Sequence, residues 1–253
     1  MTKLITIPFS HYCEKARWAL EACGVAYQEA GHLPMFHYGP VKLAGGGRTV
    51  PVVVTDAKRT IADSTEIVAW ADAQRPGRLL PEAAADRTDA LQLEDDFDRH
   101  LGPATRRWAY FQILPRRDLD HLIAHGVPRW EYLALKLARP LAVRALSRGL
   151  RVDAAGAERS RARIDETFSL VGQLLDDGRR YLVGDRFSIA DLTFAALAAP
   201  VLLPAEYGAK LPAVDVFTGD ARDQIEAWRV SRAGKFALRL YATERAGDHR
   251  AAA

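Results

Sequence analysis

The chain is poor in cysteine. Its 253 residues include only two, Cys13 and Cys23. On one helix, ten residues put them about 15 Å apart along the axis, too far to bridge. No disulfide framework is implied, and a reducing cytoplasm is the expected compartment. A dominant charge is also lacking: 35 Lys and Arg against 32 Asp and Glu leave a formal +3, too little to argue for a nucleic-acid partner. No run reaches the ~18 apolar residues of a membrane span. The short apolar run after Lys3 does not read as a secretory signal. The histidines at His32, His37, His100, His121 and His125 show no metal-ligand spacing, so no metal is expected. There are no internal repeats. What is present, 49% hydrophobic and 26% charged residues, suits a soluble globular protein with length for two modest domains.

The first eighty residues mix strand and helix signals. Leu4 to Ile7 is short and β-favouring, and Pro8 ends it. Ser10 can cap a helix in which Ala16, Ala19, Leu20 and Cys23 share a face, while Glu14, Lys15, Arg17 and Glu21 fall mostly on others. Gly24 stops it. Val25 to Ala30 reads as a second strand, parallel to the first through this βαβ unit. Residues 31–47 read as a loop rich in Gly, Pro and His. Val50 to Val54 and Thr60 to Ala62 form a hairpin, and Asp63 or Ser64 then caps another helix. The pattern is βαβ then ββα over 1–78, with a linker at 79–86. The rest, 87–245, reads as all-helical, with a tail at 246–253. Within it, 86–112 reads as one long helix kinked near Gly102-Pro103, and 115–151 as a basic stretch broken by Pro115, Pro128 and Pro140. An amphipathic helix starts near Glu158. A nearly all-apolar one, Ser188 to Ala199, should be central.

Two segments far apart in the chain resemble the glutathione transferase superfamily. The first is Pro8-Phe9-Ser10-His11-Tyr12-Cys13-Glu14-Lys15-Ala16-Arg17-Trp18-Ala19-Leu20, followed by Thr49-Val50-Pro51-Val52-Val53 and Asp63-Ser64. The second runs from Tyr181-Leu182-Val183-Gly184-Asp185 through Ser188-Ile189-Ala190-Asp191-Leu192. The resemblance covers nearly the whole chain and is weakest across 115–151. It implies a thioredoxin-like domain followed by an all-α domain, glutathione as co-substrate, and a homodimer. It also implies a serine at the thiol-activating place, as in bacterial-type members.

The same resemblance suggests roles for particular residues. Val50-Pro51 resembles the site where a cis X-Pro bond presents backbone to a bound peptide. Asp63-Ser64, at a helix N-terminus, would take the γ-glutamyl end of glutathione: the serine its carboxylate, the aspartate its ammonium. Ser10 would donate a hydrogen bond to the glutathione thiolate, lowering the thiol's pKa. Ser10 as a plain helix cap stays open. So does Cys13 as the reactive group of a thiol transferase, forming a mixed disulfide. Ser188 and Asp191 form an S-x-x-D cap and are read as structural.

A small-molecule electrophile, apolar or aromatic, would lie between the domains. Trp108, Tyr110 and Phe111 are candidates for its wall, with ordinary core packing the other reading, and Tyr12 could add a hydroxyl. The reaction expected is conjugation or reductive substitution, in the service of detoxification. The basic residues Arg129, Lys136, Arg139, Arg144, Arg148 and Arg151 are read first as a solvated helix face. The alternative is a non-catalytic adaptor lying on an anionic membrane.

Overall fold

In the computed structural model, which describes residues 1–245, the N-terminal third builds a four-stranded sheet. The expected tail, 246–253, lies outside the described residues. Strand β1 (Thr2–Thr6) leads into α1 (His11–Ala22), β2 (Tyr27–Gly31) and a short α2 (Tyr38–Leu43). Then come β3 (Val52–Val54), β4 (Thr60–Ile61) and α3 (Ser64–Gln74). The strand order is β2-β1-β3-β4. β1 runs parallel to β2, with Leu4 opposite Glu29, and antiparallel to β3, with Leu4 opposite Val53. β3 and β4 close the edge as a hairpin.

Alternation along the central strands decides what covers each face. Leu4 and Val53 pack under α1 and α3, with Ala16, Leu20, Ile67 and Val68. Their neighbours Ile5 and Val52 face the other way and pack on Val41 of α2. The sequence reading has only loop here. A six-residue helix containing Gly39 and Pro40 shows no periodicity, and a single anchor, Val41, holds it to the sheet.

Helices α4 (Ala84–Asp96) and α5 (Gly102–Ile113) are joined by a π-helical turn, Phe97–Leu101. It falls immediately before Gly102-Pro103, where the sequence reading places a kink, and side chains from another element hold it. A π turn displaces backbone carbonyls from the regular ladder. The Tyr12 hydroxyl donates to the Asp98 carbonyl at 2.9 Å, and His11 Nε2 donates to that of Gly102 at 2.9 Å. A Cβ at Gly102 would overlap the Tyr12 hydroxyl, so glycine lets α1 approach this closely.

A short α6 (Asp120–Ile123) precedes α7 (Arg129–Leu150), which is unbroken over 22 residues. Pro140 was expected to break it. Instead it sits exposed inside the helix, where water can satisfy the freed Lys136 carbonyl. Helix α8 (Ala154–Leu174) starts earlier than Glu158, because Asp153 caps it by accepting the Gly156 amide at 2.6 Å.

The core of this half is α9 (Ile189–Leu202), buried at every residue but Pro200. Helices α10 (Asp220–Val230) and α11 (Arg232–Leu240) complete it. Asp191 accepts the Ser188 amide and hydroxyl, each at 2.9 Å, and the Leu182 amide at 2.8 Å. Burial nonetheless pushes its carboxyl up to about 6. Ser188→Ala is expected to lower stability by ~1 kcal/mol, measured by urea unfolding. A loss below about 0.3 kcal/mol would mean the hydroxyl contributes nothing to this cap.

Candidate active site between the two halves

Three sequence motifs meet at one end of the sheet. The β1–β3 register pairs Ile5 with Val52, so Val50-Pro51 lies beside the exit of β1, where the chain turns to Ser10. The Val50–Pro51 peptide is cis, and Val50 is half-buried. Lys15 Nζ lies 3.4 Å from Thr65 Oγ1, tying α1 to the first turn of α3. Asp63 caps α3 by accepting the Thr65 amide at 2.8 Å and that of Glu66 at 3.3 Å. Both bonds use Oδ1, so Oδ2 keeps its acceptor capacity. Ser64 is buried, and among the described residues its hydroxyl makes no hydrogen bond.

Ser10 is the extended residue before α1, with its amide donated to the Ile7 carbonyl at 2.9 Å. Its side chain makes no capping bond to the helix. It sits beside Cys13, whose thiol pKa it acts to lower. Cys13 itself is fully buried. Burial, against the opposing pull of Arg17, pushes its thiol up to about 11. At neutral pH it is a thiol out of reach of solvent, which removes the accessible low-pKa cysteine that a thiol transferase needs.

Ser10 opens on an apolar chamber between the two halves. Phe9, Leu33 and Met35 contribute from the sheet half, and Tyr110 and Ile113 from α5. The inner face of α7, through Leu135, Ala142, Val143 and Leu146, forms the opposite wall. Leu203 and Leu211 close the side. Of the residues expected to form this wall, Tyr110 lines it, 6.3 Å centroid to centroid from Phe9, and burial pushes its phenol up to about 12. Trp108 does not line it. It is a core residue meeting Trp228 edge-on at 4.8 Å. Phe111 is half-buried outside the lining, and Tyr12 is committed to the Asp98 carbonyl. On α5 the residue selected is 110, because helical phase turns 108 and 111 to other faces.

Two residues that the sequence reading passed over also line the chamber. His11, given no role there, is buried and holds the Gly102 carbonyl. Burial, with Arg106 adding to it and the Gly102 bond opposing, lowers its imidazole to about 3, so it is neutral. Arg106 also lines the chamber. Among the described residues it makes no ion pair, and its charge also acts to lower the pKa of Tyr110 and Tyr12. Its place one turn before Tyr110 on α5 was the available signal.

Comparison with known proteins gives consistent results. The glutathione S-transferase N-terminal domain profile matches residues 4–79, and the C-terminal domain profile residues 154–229. No match is found among curated proteins. Among solved structures, a glutathione S-transferase from Xanthobacter autotrophicus Py2 superposes with a TM-score of 0.65 at 16% identity, covering 96% of this chain and 93% of that one. One from Methylobacterium radiotolerans, in complex with glutathione sulfonate, gives 0.60 at 19% identity, covering 98% and 93%. One from Methylobacillus flagellatus, with glutathione bound, gives 0.53 at 15% identity, covering 94% and 98%. At such identities these neighbours speak to the fold. With both domain profiles matched in order along one chain, the protein belongs to the glutathione transferase superfamily.

Proposed function

We propose that this protein is a glutathione transferase in which Ser10 holds the glutathione thiolate for attack on an apolar or aromatic electrophile in the adjoining chamber. The observation that carries this reading is the Ser10 side chain: it is not spent on capping α1, and Ser10 lines an apolar chamber. The γ-glutamyl end would lie on Asp63 and Ser64, whose unengaged acceptor and hydroxyl fit an ammonium and a carboxylate. The Val50 backbone would pair with the peptide as an added strand. Arg106 supports the thiolate further, since a cation that lowers the pKa of its neighbours favours an anion beside Ser10. The electrophile would be held by the apolar walls, and conjugation or reductive substitution follows according to its leaving group. A homodimer and a detoxifying role belong to the same proposal.

Isothermal titration of glutathione tests the groove. Saturable binding is expected, weakened about 10-fold or more by Ser64→Ala, which removes a hydrogen bond to a charged group. Ser10→Ala is expected to leave binding nearly intact and to raise the bound thiol's pKa by about one to two units, read from thiolate absorbance against pH. Absence of binding at millimolar glutathione would refute the groove. Unchanged thiol pKa and turnover in Ser10→Ala would refute the role of Ser10.

A further inference from the structure

Helix α7 is apolar on two sides. Its inner face lines the chamber. Its outer face carries Trp130, Leu133, Leu137 and Leu141, which are 60%, 59%, 88% and 73% exposed. The spacings of three, four and four residues stack these side chains along one ridge. Phe36 of the sheet half meets Trp130 edge-on at 5.4 Å and extends the ridge beyond the helix. Aligned apolar exposure of this kind is not the scattered sort found on every protein surface.

The charges around the ridge say what covers it. Arg129 and Lys136 flank its first turns, and Arg144 and Arg148 continue the same face beyond Leu141; all four are exposed. None of the four forms an ion pair among the described residues; on this helix Arg139 pairs with Asp120 at 2.7 Å and Glu131 with His32 at 2.6 Å, both away from the ridge's cations. The helix's one acidic residue, Glu131, is fully buried and accepts the Leu33 amide at 2.7 Å. A two-fold contact between copies through this face would set cations against cations with no exposed carboxylate on the helix to answer them. An anionic lipid surface complements both features, with acyl chains for the leucine ridge and headgroups for the arginines.

We propose that the outer face of α7 is a docking surface for an anionic bilayer, with the helix lying in the interfacial plane. No helix among the described residues is long and apolar enough to cross a membrane, so attachment is peripheral. It places the wall of the chamber against the lipid, whatever chemistry the chamber performs.

The test is cosedimentation of the full chain with vesicles of phosphatidylcholine alone or with 30 mol% phosphatidylglycerol. Binding to the anionic vesicles is expected at low salt, falling steeply as salt is raised. Arg144→Gln/Arg148→Gln should weaken it about 30-fold. Leu137→Gln/Leu141→Gln should abolish it while leaving the melting temperature unchanged, because these side chains are exposed in the folded state. The proposal is overturned by absence of binding to anionic vesicles at low salt, or by binding that neither pair of substitutions alters. It is equally overturned if sedimentation shows a dimer that Leu137→Gln/Leu141→Gln dissociates while vesicles are ignored, since the ridge would then be a contact between copies.

Discussion

Replacing Glu14 by alanine is expected to lower the unfolding free energy by about 3–5 kcal/mol, a large share of the 5–15 kcal/mol that a domain typically has. Glu14 is fully buried. Its carboxylate meets Arg245 Nε at 2.9 Å, Arg17 Nη1 at 3.1 Å and the Gly208 amide at 3.1 Å. Burial works to raise its pKa, but Arg245 and Arg17 outweigh it and hold the group ionised. Both guanidiniums are themselves buried. Removing the carboxylate leaves two buried cations short of counter-charge: among the described residues, Arg17 then has only Glu29 and Arg245 only Glu21. The damage should reach the site, because Arg17 also donates to the Pro8 carbonyl at 2.8 Å and so holds the turn carrying Ser10.

Chemical denaturation of wild type and Glu14→Ala measures the loss. A second variant separates lost attraction from stranded charge: Glu14→Leu/Arg245→Met removes both charges and should recover part of the stability. A loss below about 1 kcal/mol in Glu14→Ala would mean that water reaches the network and screens it.

Acid should destabilise the wild type more than His11→Gln. In the native chain the His11 imidazole is lowered to about 3, first by burial and then by Arg106, against the bond to Gly102. The sign follows from linkage. Below about pH 6.5 the unfolded chain takes up a proton that the native chain does not bind until about pH 3. The unfolded state is therefore favoured progressively as pH falls through that window. Glutamine keeps an N–H for the Gly102 carbonyl and does not titrate. Between pH 6.5 and 4.5 the wild type is expected to lose about 2 kcal/mol relative to the variant.

The comparison has to be a difference between the two proteins, because other groups push the opposite way. Asp191 is raised to about 6 by burial, and Asp98 is raised as well, burial outweighing Lys15. Both hold protons that the unfolded chain releases, so each adds stability as pH falls towards the ordinary carboxylate range. These contributions cancel between wild type and variant. Urea unfolding at half-unit pH steps provides the two curves. Parallel curves would show that His11 titrates normally in the native protein and is not sealed against α5.

The sequence alone determined the pieces whose physics is local. A short β-favouring run ended by a proline marked β1. The stripe Ala16, Ala19, Leu20, Cys23 marked α1, and a long apolar run marked α9. Val50-Pro51, Asp63-Ser64 and the S-x-x-D cap at Ser188 were legible because turn and cap chemistry acts over three or four residues. From these the α/β half, the helical half and the superfamily followed.

Only the tertiary structure decided what lies on the other faces of those elements. Glu14, Lys15 and Arg17 read as the polar side of an amphipathic helix, yet all three are buried. The helical half covers α1 from behind and supplies Glu94 and Asp98 to Lys15 and Arg245 to Glu14. Partners 79 to 231 residues away leave no periodic trace. The same holds for His11, neutral only because Gly102 and Arg106 approach it. In α7 the expected solvated basic face is there, with Arg129, Lys136, Arg144 and Arg148 exposed, but the chamber takes one apolar face and leaves a second, carrying Leu133, Leu137 and Leu141, in water. Periodicity records how a helix is patterned. Which faces are covered depends on what else the chain brings there, and that is settled only when distant segments pack.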